Sequence, residues 1–277
     1  MLERSPSRGA RPLVLAYHAV SSSWRHPLAV PEERLESQLS CLQRRGYVGL
    51  TAAQAERRRR DGTLPDRSAV VTFDDGFRSV LRARPILEEL RYPATVFVVT
   101  AFVESQRRLC WDGIERSTAE ADEEELRPLG WEELALLRSA GWEVGSHTVT
   151  HPLSTDLSDA DLEQEFVDSR SLLERRLGAC ETIAYPYGRA DARVAAAAER
   201  AGYQAGFALA RVHRPDEPFL RPRMELSRRD RGLRLAMRLS PGAWMLRRSR
   251  GAAALSRIRR AASPRGDWLP PARSGSA

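Results

Sequence analysis

Chemistry in this 277-residue chain concentrates in three short stretches. Thr72-Phe73-Asp74-Asp75-Gly76 sets two carboxylates side by side at the end of an apolar, β-branched run. Adjacent carboxylates repel, and a cation or a proton lets them share a site. One can then ligate a metal while the other stays free as a base. A strand-ending Asp-Gly turn with both charges in water accounts for the same residues. The second stretch, Ser146-His147-Thr148-Val149-Thr150-His151-Pro152, has H-x-x-x-H spacing, which on a helical turn puts two imidazoles on one side, within reach of one ion. The chain has only five histidines, so two of them four apart stand out against a pair of unrelated loop histidines. One Asp with two His makes a facial set that leaves positions open for water, as a catalytic metal requires. The third stretch, Tyr185-Pro186-Tyr187-Gly188, is an aromatic-proline turn that gains meaning only from the two before it.

Each stretch follows a short apolar run. Leu13–Tyr17, Ser68–Phe73, Ala94–Thr100, Trp142–Gly145, Thr182–Tyr185 and Gln204–Leu209 read as strands. Between them, Pro31–Gly46, Arg78–Leu90, Leu129–Ala140, Asp156–Leu177 and Asp191–Ala201 carry apolar residues at helical spacing, with Ser158 and Asp161 set to cap the fourth. Strand, turn and helix in repetition predict an α/β fold with mostly parallel strands, whose C-terminal strand ends hold the active site.

TFDDG, HTVTH and YPYG, in that order, resemble the polysaccharide deacetylase family, the NodB-homology carbohydrate esterases. The stretch "GWEELALLRSAGWEVGSHTVTHP" is similar to that family throughout, and "AYHAV" around His18 resembles its bacterial branch with a Tyr-His opening strand. The resemblance covers residues 12–226. It implies a distorted (β/α) barrel with fewer than eight regular strands, and metal-dependent removal of N- or O-acetyl groups from sugars. Carried onto this chain, Asp74 is the general base, Asp75, His147 and His151 hold the metal, and the Tyr187 backbone N–H serves the oxyanion, with Pro186 and the Tyr187 ring walling the sugar site. Zinc suits this donor set, with nickel, cobalt and manganese as alternatives. The family's third motif usually has an Arg paired to the base where this chain has Ala184. Arg223, in "RPRMEL", is the candidate replacement. The late Leu-x-His motif, whose His protonates the leaving amine, is missing. His213 lies in a polar loop, which leaves His18 as the alternative acid or substrate contact. Trp111 and Asp112 are candidates to line the sugar cleft, and Trp131 to do so or to pack at a helix start. Without the Arg and the late His, a weakly active or inactive glycan-binding domain is the alternative reading.

Composition divides the chain in two. All 44 basic residues are arginine, and after residue 227 there are 13 of them against Asp230 and Asp267, a net +11. Residues 1–227 therefore hold −4 of the overall +7, which disfavours nucleic acid as a partner of the main domain. We expect a catalytic domain over 12–226 and an irregular, basic, partly disordered extension over 227–277. Trp244 and Met245 among its arginines suit contact with an anionic membrane surface. Cys41, Cys110 and Cys180 show neither disulfide-framework nor metal-ligand spacing. With no eighteen-residue apolar run and no secretory signal pattern, the expected location is cytoplasmic, peripheral to the inner membrane face if the extension binds lipid.

Overall fold

The structure is a computed structural model that describes residues 11–111, 114, 120–209 and 217–240. In chain order its elements are β1 (Leu13–Tyr17), β2 (Ala19–Val20), β3 (Ala29–Val30), α1 (Glu32–Arg44), β4 (Val48–Leu50), α2 (Ala52–Arg60) and β5 (Ser68–Phe73). These are followed by α3 (Arg84–Leu90), β6 (Ala94–Val98), α4 (Thr100–Ser105), α5 (Glu120–Glu125), α6 (Trp131–Ser139) and β7 (Glu143–Ser146). The last are α7 (Asp159–Leu177), β8 (Thr182–Ala184), α8 (Ala192–Arg200), β9 (Ala205–Leu209), β10 (Arg221–Glu225) and α9 (Gly232–Arg238).

Seven parallel strands close a ring in the order β1, β10, β9, β8, β7, β6, β5, with β1 pairing back onto β5 over Leu13↔Ala69 to Tyr17↔Phe73. This is the distorted (β/α) barrel with fewer than eight strands in its ring. The distortion lies at β5, where one edge is split between two neighbours. β4 pairs with its first half, Ser68–Val70, and β6 with its second half, Val71–Phe73. Inside the barrel Val14, Val70, Phe97, Ala184 and Phe207 pack as one cluster, each supplied by a different strand with side chains alternating in and out. The larger cluster lies between the strands and the surrounding helices. At the barrel's N-terminal end, the first turn of α2 donates Ala52 N–H to Thr95 Oγ1 and Ala53 N–H to Glu143. Thr182 also donates to Glu143, so polar groups seal that end.

Several expected boundaries move. Arg78–Leu90 is not one helix: Arg78–Ala83 is a 3₁₀ turn and α3 begins at Arg84, because Pro85 brings no N–H and disfavours a continuous α-helix before it. β10, "RPRME", escapes a pattern search because arginine and proline mask its alternation. The boundary expected at residue 226 falls inside packed structure. Asp230, Leu235 and Leu239 are buried, and Gln38 of α1 donates to the carbonyls of Ser227 and Asp230. No described helix is long and apolar enough to cross a membrane.

Candidate metal centre and active site

The C-terminal ends of the barrel strands open into a cleft of about 250 Å³, smaller than the roughly 300–1,000 Å³ of drug-sized ligand pockets. Asp75 Oδ1 lies 3.2 Å from His147 Nε2 and 3.3 Å from His151 Nε2, with all three side chains buried. These are the only three described side chains of metal-ligating type that converge in this way. His147 Nδ1 is 2.7 Å from the Ala184 carbonyl, which can only accept; Nδ1 therefore carries the proton and Nε2 a lone pair in the neutral ring. A lone pair aimed at a carboxylate oxygen needs a cation or a proton between them, so the donor set fits a divalent metal. Burial holds His151 below the usual imidazole range against the pull of Asp75, which favours the neutral, ligating form. Burial would raise the Asp75 carboxyl, but the imidazoles of His147, His151 and His18 around it hold it far below the usual range, as an intervening cation would.

These histidines do not sit on a helical turn, contrary to the spacing argument. Thr148 (φ 71°) and His151 (φ 64°) are left-handed, and Pro152 disfavours helix just before it. The loop is held by side chains: Ser146 Oγ accepts Thr148 N–H, and Thr148 Oγ1 accepts His151 N–H. Glu165 of α7 accepts the N–H groups of Val149 (2.7 Å) and Thr150 (3.0 Å) and the Thr150 hydroxyl (2.6 Å).

Asp74 faces the other way. Arg223 grips it with two parallel bonds, Nη1 to Oδ1 at 2.6 Å and Nη2 to Oδ2 at 2.7 Å, and Nη1 also reaches Thr72 Oγ1 at 3.0 Å. Arg223 is 1% exposed, and its guanidinium lies over Phe97, 5.5 Å from the ring centroid. Ala184, which stands where the resembled family usually has an Arg, is a small buried side chain in the same barrel interior, and Arg223 comes in from β10. Burial works to raise the Asp74 carboxyl, but Arg223, helped by His147 and His18, keeps it below the ordinary range.

Other expected residues gather at the same mouth. His18, half-buried after β1, lines the cleft, so it is not a core histidine. Tyr187 sits at φ 57° on the Pro186–Gly188 turn, its ring edge-on to His151 at 4.8 Å, with Pro186 buried beneath. Gly188 is required there, since φ is 64° and a Cβ would lie 2.2 Å from Leu209. Trp111 stacks on His151 with centroids 4.3 Å apart and also lines the cleft. Trp131 starts α6, bonds Glu104 and stacks against Arg176, and it is absent from the cleft lining. Asp112 and His213 lie outside the described residues. Sequence reasoning missed His26, Leu28 and Glu225 on the rim, and Glu165 behind the histidine loop. Only Glu225 had a signal, two residues after Arg223 in "RPRMEL"; the structure pairs it with Ala16 at the end of β10.

A family model described as polysaccharide deacetylase matches residues 61–206. The Bacillus subtilis (strain 168) protein YxkH is 28% identical over 196 residues, 70% of this chain and 62% of that protein. The poly-beta-1,6-N-acetyl-D-glucosamine N-deacetylase of Staphylococcus aureus (strain MSSA476) is 27% identical over 192 residues, 65% of this chain and 61% of that protein. The chain thus spans less than two thirds of the length of these curated relatives. Among solved structures, IcaB from Ammonifex degensii superposes with a TM-score of 0.65 at 25% identity, over 80% of this chain and 94% of that one.

Proposed function

The chain belongs to the polysaccharide deacetylase family, and from that premise we propose that it is a metal-dependent hydrolase that removes acetyl groups from N-acetylated amino sugars in a polysaccharide, glycolipid or glycan precursor. The observation that carries this reading is the pair of opposed aspartates, Asp75 facing two imidazoles and Asp74 clamped by Arg223, at the end of one cleft. The S. aureus relative, by its name an N-deacetylase of an N-acetylglucosamine polymer, supports the substrate class.

Asp75, His147 and His151 would hold the ion. Zinc suits two nitrogens and one oxygen, and nickel, cobalt or manganese are separable by metal analysis of the purified protein. When bound, a divalent cation supplies Lewis acidity, making water a nucleophile near neutral pH and polarising an acyl carbonyl. Asp74 would take the proton from that water. Each of its oxygens keeps lone-pair capacity beyond the one Arg223 uses. The Tyr187 backbone N–H would receive charge developing on the acyl oxygen. His18 would give a proton to the departing amine, and Trp111, Pro186 and the Tyr187 ring would wall the sugar.

Arg223 occupies the position opposite the base that Ala184 leaves open, which favours hydrolysis over a glycan-binding domain without turnover. Acetate release from a panel of acetylated amino sugars and glycans tests the proposal. Asp74→Asn is expected to lose about 10²–10⁴-fold in rate while binding metal as before. No release by the metal-loaded wild type from any substrate refutes the hydrolase. The cytoplasmic location is part of the same proposal and is checked by cell fractionation.

A further inference from the structure

The two most exposed large apolar side chains described share one short helix. Leu233 (75% exposed) and Met237 (54%) lie four residues apart on α9, on one face. Arg229, Arg231 and Arg234 stand exposed around them. The inner face buries Leu235, and Leu239 just past the helix, in the core. The segment is firmly anchored. Arg228 donates to the carbonyls of Trp24, His26 and Ala29, and Arg238 pairs with the buried Asp230. The anchored loop carries His26 and Leu28, two residues of the cleft rim, so α9 is tied to the lip of the active site.

Whatever covers Leu233 and Met237 must be apolar and anionic at once. Residues 241–277 contain eight arginines and one aspartate, and a second copy of α9 presents the same arginines. Both are repelled from this face. Nucleic acid offers phosphates but no apolar layer. A bilayer with anionic headgroups offers both, with arginines at phosphate level and the Leu and Met side chains in the acyl boundary. We propose that α9 docks on an anionic lipid bilayer and holds the lip of the cleft at its surface. Resting on the deacetylase reading, this makes the substrate class a membrane-borne acetylated glycan.

The test uses the full chain and sedimentation with phosphatidylglycerol–phosphatidylcholine vesicles, beside pure phosphatidylcholine vesicles. Wild type is expected to bind the anionic vesicles only. The pair Leu233→Glu/Met237→Glu, and the milder Leu233→Gln/Met237→Gln, should weaken binding at least tenfold. Their unfolding temperature and acetate release from a soluble acetylated oligosaccharide should match wild type. Failure of wild type to bind, or binding by both double variants equal to wild type, overturns the docking. So does finding that the variants abolish duplex-DNA binding or self-association in place of lipid binding. If docking holds and acetate release is no faster from a vesicle-borne acetylated glycolipid than from the soluble oligosaccharide, the substrate inference falls. Release from neither, with docking intact, refutes the deacetylase reading and leaves the docking supported.

Discussion

Asp74 and Asp75 are neighbours in the chain and opposites in environment. Asp75 turns through φ 72° and meets two imidazoles, while Asp74 stays on the inward side of its strand line and meets a guanidinium. In the proposed mechanism, that separation gives two identical side chains different tasks. Arg223→Lys keeps the positive charge but loses the two-pronged grip on Asp74. Burial then gains weight, the Asp74 carboxyl rises, and the acid limb of kcat/KM moves to higher pH, because the base works only when ionised. We expect a rate loss of roughly 10–100-fold with metal content unchanged, read from pH profiles and metal analysis. An unmoved acid limb would show that Arg223 does not tune the base. At this scale much was legible. Asp74, Asp75, His147, His151 and Arg223 were named from TFDDG, HTVTH and "RPRMEL". Glu165 was not, because its role is to accept backbone N–H groups across space, which leaves no spacing in the sequence.

Elements succeed or fail here by how they hold loops. α7 supplies Glu165 to a histidine loop with two left-handed residues, a conformation that costs about 1 kcal/mol or more per residue and persists only when the surroundings enforce it. Glu165→Ala should therefore weaken zinc binding by about 10–100-fold in chelator competition. Glu165→Gln, whose amide oxygen still accepts the two N–H bonds, should recover most of that affinity. Equal losses in both variants would count against a positioning role. α9 depends on Asp230 in a similar way. Burial would raise that carboxyl, but Arg234, the Ser227 N–H and Arg238 keep it below the usual range. A depressed folded-state value means the stabilisation is full above the unfolded value, about 3.9, and is lost as pH falls through the lower folded value. Urea unfolding from pH 7 down to pH 2 should show this acid loss in wild type and a smaller one in Asp230→Asn. Long periodic helices and buried strands were readable from the chain. β4 and β10 were not, since three residues or an Arg-Pro-Arg core carry too little alternation.

The whole molecule is held closed by its first strand. β1 lies between β5 and β10, and its Tyr17 carbonyl accepts the N–H of Asp74 while its Ala16 carbonyl accepts that of Leu226. Strand rhythm foretold parallel strands, and the family resemblance implied a barrel. It did not foretell that β4 would share an edge of β5, because register belongs to pairs of strands and not to any one segment. Closure also sets an order of assembly. The three residues facing one another at the candidate metal centre are all in place by His151, but the arginine that clamps the base lies 149 residues beyond it, on the strand that completes the ring. Contacts so distant in sequence form late, and synthesis proceeds from the N-terminus. A chain still emerging from the ribosome would thus possess its ion-binding residues before its hydrolytic competence. On the proposed function, the last strand would act as an arming step, keeping a half-made polypeptide from reacting with sugars before its barrel has shut.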